Sequence, residues 1–214
     1  MLTKSGYIIL GCISGNITLT GKLQEQLMQA ADTANKRLKK RTHYALQSAY
    51  GSEICGLYTD ISDALTALVH IEEELIQQGM ARCLQWGIMQ GKVNLIKDGV
   101  KSVQLGGKDL QQLKSSILAL SPKKSRFVIL TQHRQSDYYG QLGLMLWDGM
   151  VSDWNIKRDC EALGVFLQGN EYKAAADILN IAKPQAWKKY QSLGMARYFA
   201  IREIILSGRL AIEH

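Results

Sequence analysis

The stretch from Tyr44 to Tyr58 constrains this chain most. It reads as two strands joined at Gly51-Ser52, because glycine at the first position of a two-residue loop suits the turns that hairpins prefer. A helical pattern precedes it: Leu23, Leu27, Ala31, Ala34 and Leu38 recur at spacings of three and four, predicting a helix with one buried stripe over 21–41. A second pattern follows it. Asp60 is placed to cap a helix carrying Ile61, Leu65, Leu68, Val69, Glu72, Leu75 and Ile76, and Gly79 stops it. A hairpin flanked in this way by two helices is the middle of a split βαβ arrangement.

The outer strands complete that order. Tyr7–Ile13 is a near-continuous apolar run, as expected of a strand covered on both faces. Residues 82–93 alternate Leu84, Trp86 and Ile88 with Cys83, Gln85 and Gly87. Beyond them come a turn at Asp98-Gly99, a helix over 108–120 after Gly106-Gly107, and a strand over 126–131. The expected class is α+β: a ferredoxin-like βαββαβ domain over 1–150, its mixed sheet carrying helices on one face. Tyr138–Met150 is aromatic and glycine-interrupted and reads as a docking segment. From Asn155 onward the period is helical, so 151–214 is expected to form a small all-helical domain.

Composition sets outer limits. At 46% hydrophobic and 21% charged residues, the 214-residue chain has ample material for a core and is not of a disordered type. Its net charge of +7 favours anionic partners such as nucleic acid or nucleotides. Cys12, Cys55, Cys83 and Cys160 are dispersed without paired spacing, which predicts buried free thiols, no zinc site and a cytoplasmic protein. No apolar run is long enough for a membrane span or has the form of a signal peptide. His70 stands beside an apolar stripe with no second histidine at ligand spacing, so it reads as a surface or half-buried histidine.

Four segments in order resemble the motifs of class III nucleotide cyclases. Cys12-Ile13-Ser14-Gly15-Asn16 resembles their opening Asp-Ile-x-Gly-Phe; Gly51-Ser52-Glu53 resembles the hairpin Gly-Asp. Gly87–Val93 resembles their Gly-Ile-His-x-Gly-x-Val strand, and Gly107-Lys108-Asp109-Leu110-Gln111 the opening of the helix bearing transition-state residues. Within that group the chain is similar to the SatD family, which joins such a domain to a helical tail.

The resemblance implies a degenerate site. Two aspartates hold two metal ions in that fold, and Cys12 and Ser52 occupy their positions here. Serine is a poor ligand for a hard metal and a thiol suits softer ones. Gln111 and Ser115 stand at the phosphate-contacting positions. The chain is therefore expected to be no cyclase, and to need no metal or cofactor. Two readings of the pocket stand. The sheet persists as a scaffold, or a silent nucleotide or small-ligand pocket remains. In the second case Gly11, Gly15 and Gly51 allow backbone approach, Cys12, Ser52, Glu53 and Gln111 line it, and Lys108 meets a phosphate.

The segment Ala174–Tyr190 resembles a helix-turn-helix, with Ala176 at the helix contact, Asn180 at the turn, Ile181 plugging it, and Pro184 starting the second helix. The resemblance implies double-stranded DNA as a partner. Gln185 would read a base, with Lys183, Lys188, Lys189 and Arg197 near phosphates and Trp187 on the same outward face. A packing module without DNA, with Trp187 docked on the first domain or on a second subunit of a homodimer, is the other reading. The first reading makes the protein a non-catalytic cytoplasmic regulator, the second a nucleotide- or partner-binding module without DNA binding.

Overall fold

The computed structural model describes residues 2–15, 17–38, 42–49, 53–98, 102–121, 125–132 and 134–206. The two expected strands pair, but Ala49 stands opposite Glu53, a register that a two-residue loop at Gly51-Ser52 does not give. β2 (Thr42–Ala49) and β3 (Glu53–Tyr58) pair antiparallel; Gly51 and Ser52 lie outside the described residues. The flanking helices are α1 (Gly21–Arg37) and α2 (Ile61–Gln77). The Thr20 hydroxyl accepts from Leu23 N at the start of α1, and the Asp60 carboxylate accepts from Asp63 N at the start of α2.

The central strand is β1 (Leu2–Ile13), antiparallel to β3 on one side and to β4 (Leu84–Asp98) on the other, giving the order β2-β3-β1-β4. The long β4 carries two partners on its far edge. Its first half pairs in parallel with β6 (Phe127–Leu130), and its second half pairs antiparallel with β5 (Ser102–Gly106). The mixed α+β class stands on these elements.

Both faces of the sheet are covered, which corrects the expectation of helices on one face. Ile9, Ile54, Tyr58, Trp86 and Ile88 face α1 and α2. Ile8, Leu10, Cys12, Cys55, Leu57 and Met89 face α3 (Lys108–Leu118), whose Leu110, Leu113 and Ile117 close the second layer. Alternation along β1 sends successive apolar side chains to opposite layers, so the run Tyr7–Ile13 needs two cores.

The helical segment begins earlier than expected. The supposed docking stretch is part of α4 (Arg134–Ser152), which buries Leu144, Trp147 and Val151 against β6 and α8. The expected boundary at residue 150 thus falls within a helix. α5 (Ile156–Leu167), α6 (Tyr172–Ile178), α7 (Lys183–Ser192) and α8 (Met195–Leu206) follow. α5 and α8 lie on α2, and a single apolar cluster runs from Ile9 and Trp86 through α2 to Phe166 and Tyr198.

That packing buries Glu72, Glu73 and Glu74 on α2, and each has a cation. The Arg126 guanidinium donates to both Glu72 oxygens at 2.8 and 2.7 Å and to Asp148 at 2.7 Å. Glu73 accepts from Arg202 at 2.7 Å and from the Tyr198 hydroxyl at 3.1 Å. Glu74 lies 2.6 Å from Arg37. Buried carboxylates persist only when paired in this way. No helix among the described residues is long and apolar enough to cross a membrane.

Candidate functional site

A cleft of about 330 Å³ opens where β1 ends, β3 begins and α3 passes over them, lined by Cys12, Ser14, Gly15, Glu53, Lys114 and Leu118 among others. Cys12 and Glu53 are direct partners across β1 and β3, so both side chains project toward α3. The Lys114 ammonium reaches down from α3 to the Glu53 carboxylate. Burial, then the Glu53 charge, pushes the Cys12 thiol up to about 12, with Lys114 opposing. Cys55 rises to about 12 for the same first two reasons. Both thiols stay protonated near neutrality and are poor nucleophiles in that form.

Of the residues expected at this pocket, Cys12, Gly15 and Glu53 come together. Gly11 does not: it faces the opposite layer, where a Cβ would lie 2.6 Å from the Trp86 ring. It serves packing rather than ligand approach. Lys108 and Gln111 are exposed on the first turn of α3 and line none of the cleft. Lys114 takes the place expected of Lys108. Its position was readable from the helical period, because it flanks the buried stripe Leu110, Leu113 and Ile117 one turn after Leu110. Among the described residues, no three histidine, cysteine or acidic side chains gather where they could hold a metal ion.

A second candidate surface lies on α7. The chain leaves α6 through Asn180, whose φ of +51° is the left-handed turn conformation expected of that residue. Ile181 N then donates to Ala176 O at 3.0 Å, and Ala175, Ala176 and Ala186 are buried where the helices meet. Lys183, Pro184, Gln185, Trp187 and Lys188 face outward from α7, and Arg197 from α8. Gln185 is partly committed, since its side-chain oxygen accepts from Ala182 N at 3.3 Å. Lys189 departs from expectation: it is half-buried and lies 3.9 Å from Asp159 of α5.

Trp187, 45% exposed, sits edge-on to Tyr172 at 4.9 Å and lies nearly parallel to Tyr190 at 6.1 Å. Its aromatic neighbours come from α6 and α7, so it anchors the helix pair while showing one face to solvent.

The comparisons leave the family open. No protein-family profile and no curated protein matches the chain. Among solved structures the chain is similar to the guanylyl cyclase Cya2, at 16% identity over 53% of this chain and 68% of that one, with a TM-score of 0.31. A likeness at that score decides neither fold family nor function. The reading of this chain rests on its own two surfaces.

Proposed function

We propose that this protein is a non-catalytic regulator that binds double-stranded DNA through α7, with the sheet unit as its scaffold. The observation that carries this reading is the charge of the α7–α8 segment. Lys183 to Arg202 holds five basic residues and no acidic one; Arg202 is engaged by Glu73 and Lys189 lies beside Asp159, which leaves Lys183, Lys188 and Arg197 facing outward. Lys183, Gln185, Trp187 and Lys188 share the outward side of α7. A short helix, a left-handed turn and a second helix with an exposed basic face is the arrangement by which a recognition helix meets a major groove. Phosphate contacts from lysines position such a helix, and Gln185, despite its cap bond, retains its amide N–H donors for a base edge.

The order β2-β3-β1-β4, with α1 and α2 on one face, supports a ferredoxin-like sheet of the nucleotide-cyclase type within this proposal, and joined to the helical tail it fits a SatD-like protein. With Cys12 at one metal-ligand position and protonated, and Glu53 engaged by Lys114, we read the cleft as that of a pseudoenzyme.

The test is fluorescence anisotropy with a mixed-sequence duplex of about two helical turns, titrated over salt. Binding at low salt should weaken linearly in log–log form, and Lys188→Glu should lose it by about tenfold or more and lower the salt slope by about one. Absence of binding at low salt refutes the proposal.

A second reading is favoured by the cleft. Lys114 lies at its wall with Glu53 as its partner, and an anionic nucleotide phosphate could replace that carboxylate.

A further inference from the structure

We propose that the protein forms a symmetric homodimer through antiparallel packing of α4 against α4 of a second copy. α4 carries Tyr138, Leu142, Met145, Gly149 and Ser152 at alternating spacings of four and three, the 3.5-residue repeat of a helix–helix seam. The opposite side of the same helix is already used, with Leu144, Trp147 and Val151 buried in the core. The seam faces solvent: Tyr138 is 62% exposed, Leu142 37%, Met145 41%, and the flanking Leu146 62%. An apolar stripe of a few hundred Å² is within the size range in which surface patches often serve as interaction sites.

The stripe is complementary to itself in one orientation. Place a two-fold axis level with the Gly143–Leu144 step and run the second α4 antiparallel. Leu142 then faces the partner's Met145, and Tyr138 faces the partner's Gly149. The largest side chain of the seam meets the position that has none. A Cβ at Gly149 would meet no heavy atom of another element within 4 Å among the described residues, so none of those elements requires glycine there. Glycine is the poorest helix former after proline, and on an exposed helix face its use is to admit a close neighbour. The pairing is isologous, as a two-fold dimer requires, and antiparallel helices also set opposite dipole ends side by side.

The area sets the class of interface. At about 200 Å² for a fully exposed side chain of this size, the four exposures come to roughly 400 Å² a protomer, or about 800 Å² for the pair. That lies below the ~1,000 Å² of stable specific interfaces, so the dimer is a weak, reversible one. This inference is independent of the DNA reading, because no residue of α7 enters it.

Sedimentation equilibrium of the full chain under reducing conditions, across the micromolar range, tests it. The wild type should pass from monomer to dimer with concentration. Met145→Glu puts a charge into the seam, and Gly149→Leu fills the gap required by the partner's tyrosine. Each should weaken association at least tenfold with an unchanged circular-dichroism spectrum, which shows that the variant is folded; a Cβ at position 149 has open space among the described residues. Tyr138→Ala combined with Gly149→Tyr exchanges the large and small positions and should restore the dimer. A wild type that stays monomeric throughout, a dimer that persists in both single variants, or a combined variant that remains monomeric overturns the proposal.

Discussion

Gly11 illustrates how a single position can carry two explanations that a mutation separates. A glycine at the end of the central strand suggests backbone approach to a ligand, yet here it gives room to Trp86, whose ring atoms would lie 2.6–2.8 Å from an added Cβ. The indole cannot yield easily. Its Nε1–H donates to Glu72 at 2.6 Å, and Glu72 is held in turn by the buried Arg126. Gly11→Ala should therefore cost about 1–3 kcal/mol through overpacking, read as a lower urea midpoint. Lys114→Met provides the contrasting outcome. If the cleft holds a nucleotide, ATP or GTP in excess should raise the melting temperature of the wild type and of Gly11→Ala, and leave Lys114→Met unmoved. Loss of the response in Gly11→Ala would return that glycine to the ligand site.

At the scale of elements, the α6–α7 turn depends on one backbone conformation. Asn180 at φ +51° stands where most residues are strained by about 1–2 kcal/mol. Asn180→Gly should leave the unfolding midpoint within a few tenths of a kcal/mol, whereas Asn180→Ala should lower stability by about 1 kcal/mol. Equal midpoints in the two variants would show that the turn tolerates another geometry. This turn was legible in the sequence because Asn-Ile between two alanine-rich patterns names a local conformation. The antiparallel strand pair and the Asp60 cap are local in the same way. What escaped was non-local. The glycines of α4, at 140, 143 and 149, argue against a helix by propensity, but a Cβ at Gly140 would lie 2.8 Å from Ile129, so close packing on β6 outweighs that cost. The burial of Glu72, Glu73 and Glu74 depends on Arg126, Arg202 and Arg37, which come from distant segments. For the cleft, Cys12 and Glu53 were visible as motif positions, while Lys114, whose place beside the buried stripe of α3 follows from the helical period, joins them only because α3 crosses β1.

The whole molecule is joined at a seam that α2 shares with α1, α5 and α8, and its pH response follows from one imidazole there. His70 lines a cleft with Arg37, Gln168, Phe199 and Arg202, and its Nδ1 is buried without a hydrogen-bond partner among the described residues. Burial, then the charges of Arg202 and Arg37, holds its pKa down at about 4. In the unfolded chain the ordinary value is near 6.5, so between pH 6.5 and 4 the unfolded state takes up a proton that the folded state refuses. The stability that His70 confers by remaining neutral is present above pH 6.5 and lost as pH falls toward 4. The full shift would correspond to about 3 kcal/mol; partial exposure reduces this to about 1–2 kcal/mol. Glu73, one turn away, acts with the opposite sign: its burial raises its pKa, so its contribution falls as pH rises through the folded value. A comparison with His70→Gln cancels that term. Between pH 7 and pH 4.5, urea unfolding of the wild type should lose about 1–2 kcal/mol more than the variant does. Parallel pH profiles would mean that the seam opens enough to hydrate a charged imidazole, and that the helical tail is less tightly joined to α2 than Glu73, Tyr198 and Arg202 indicate.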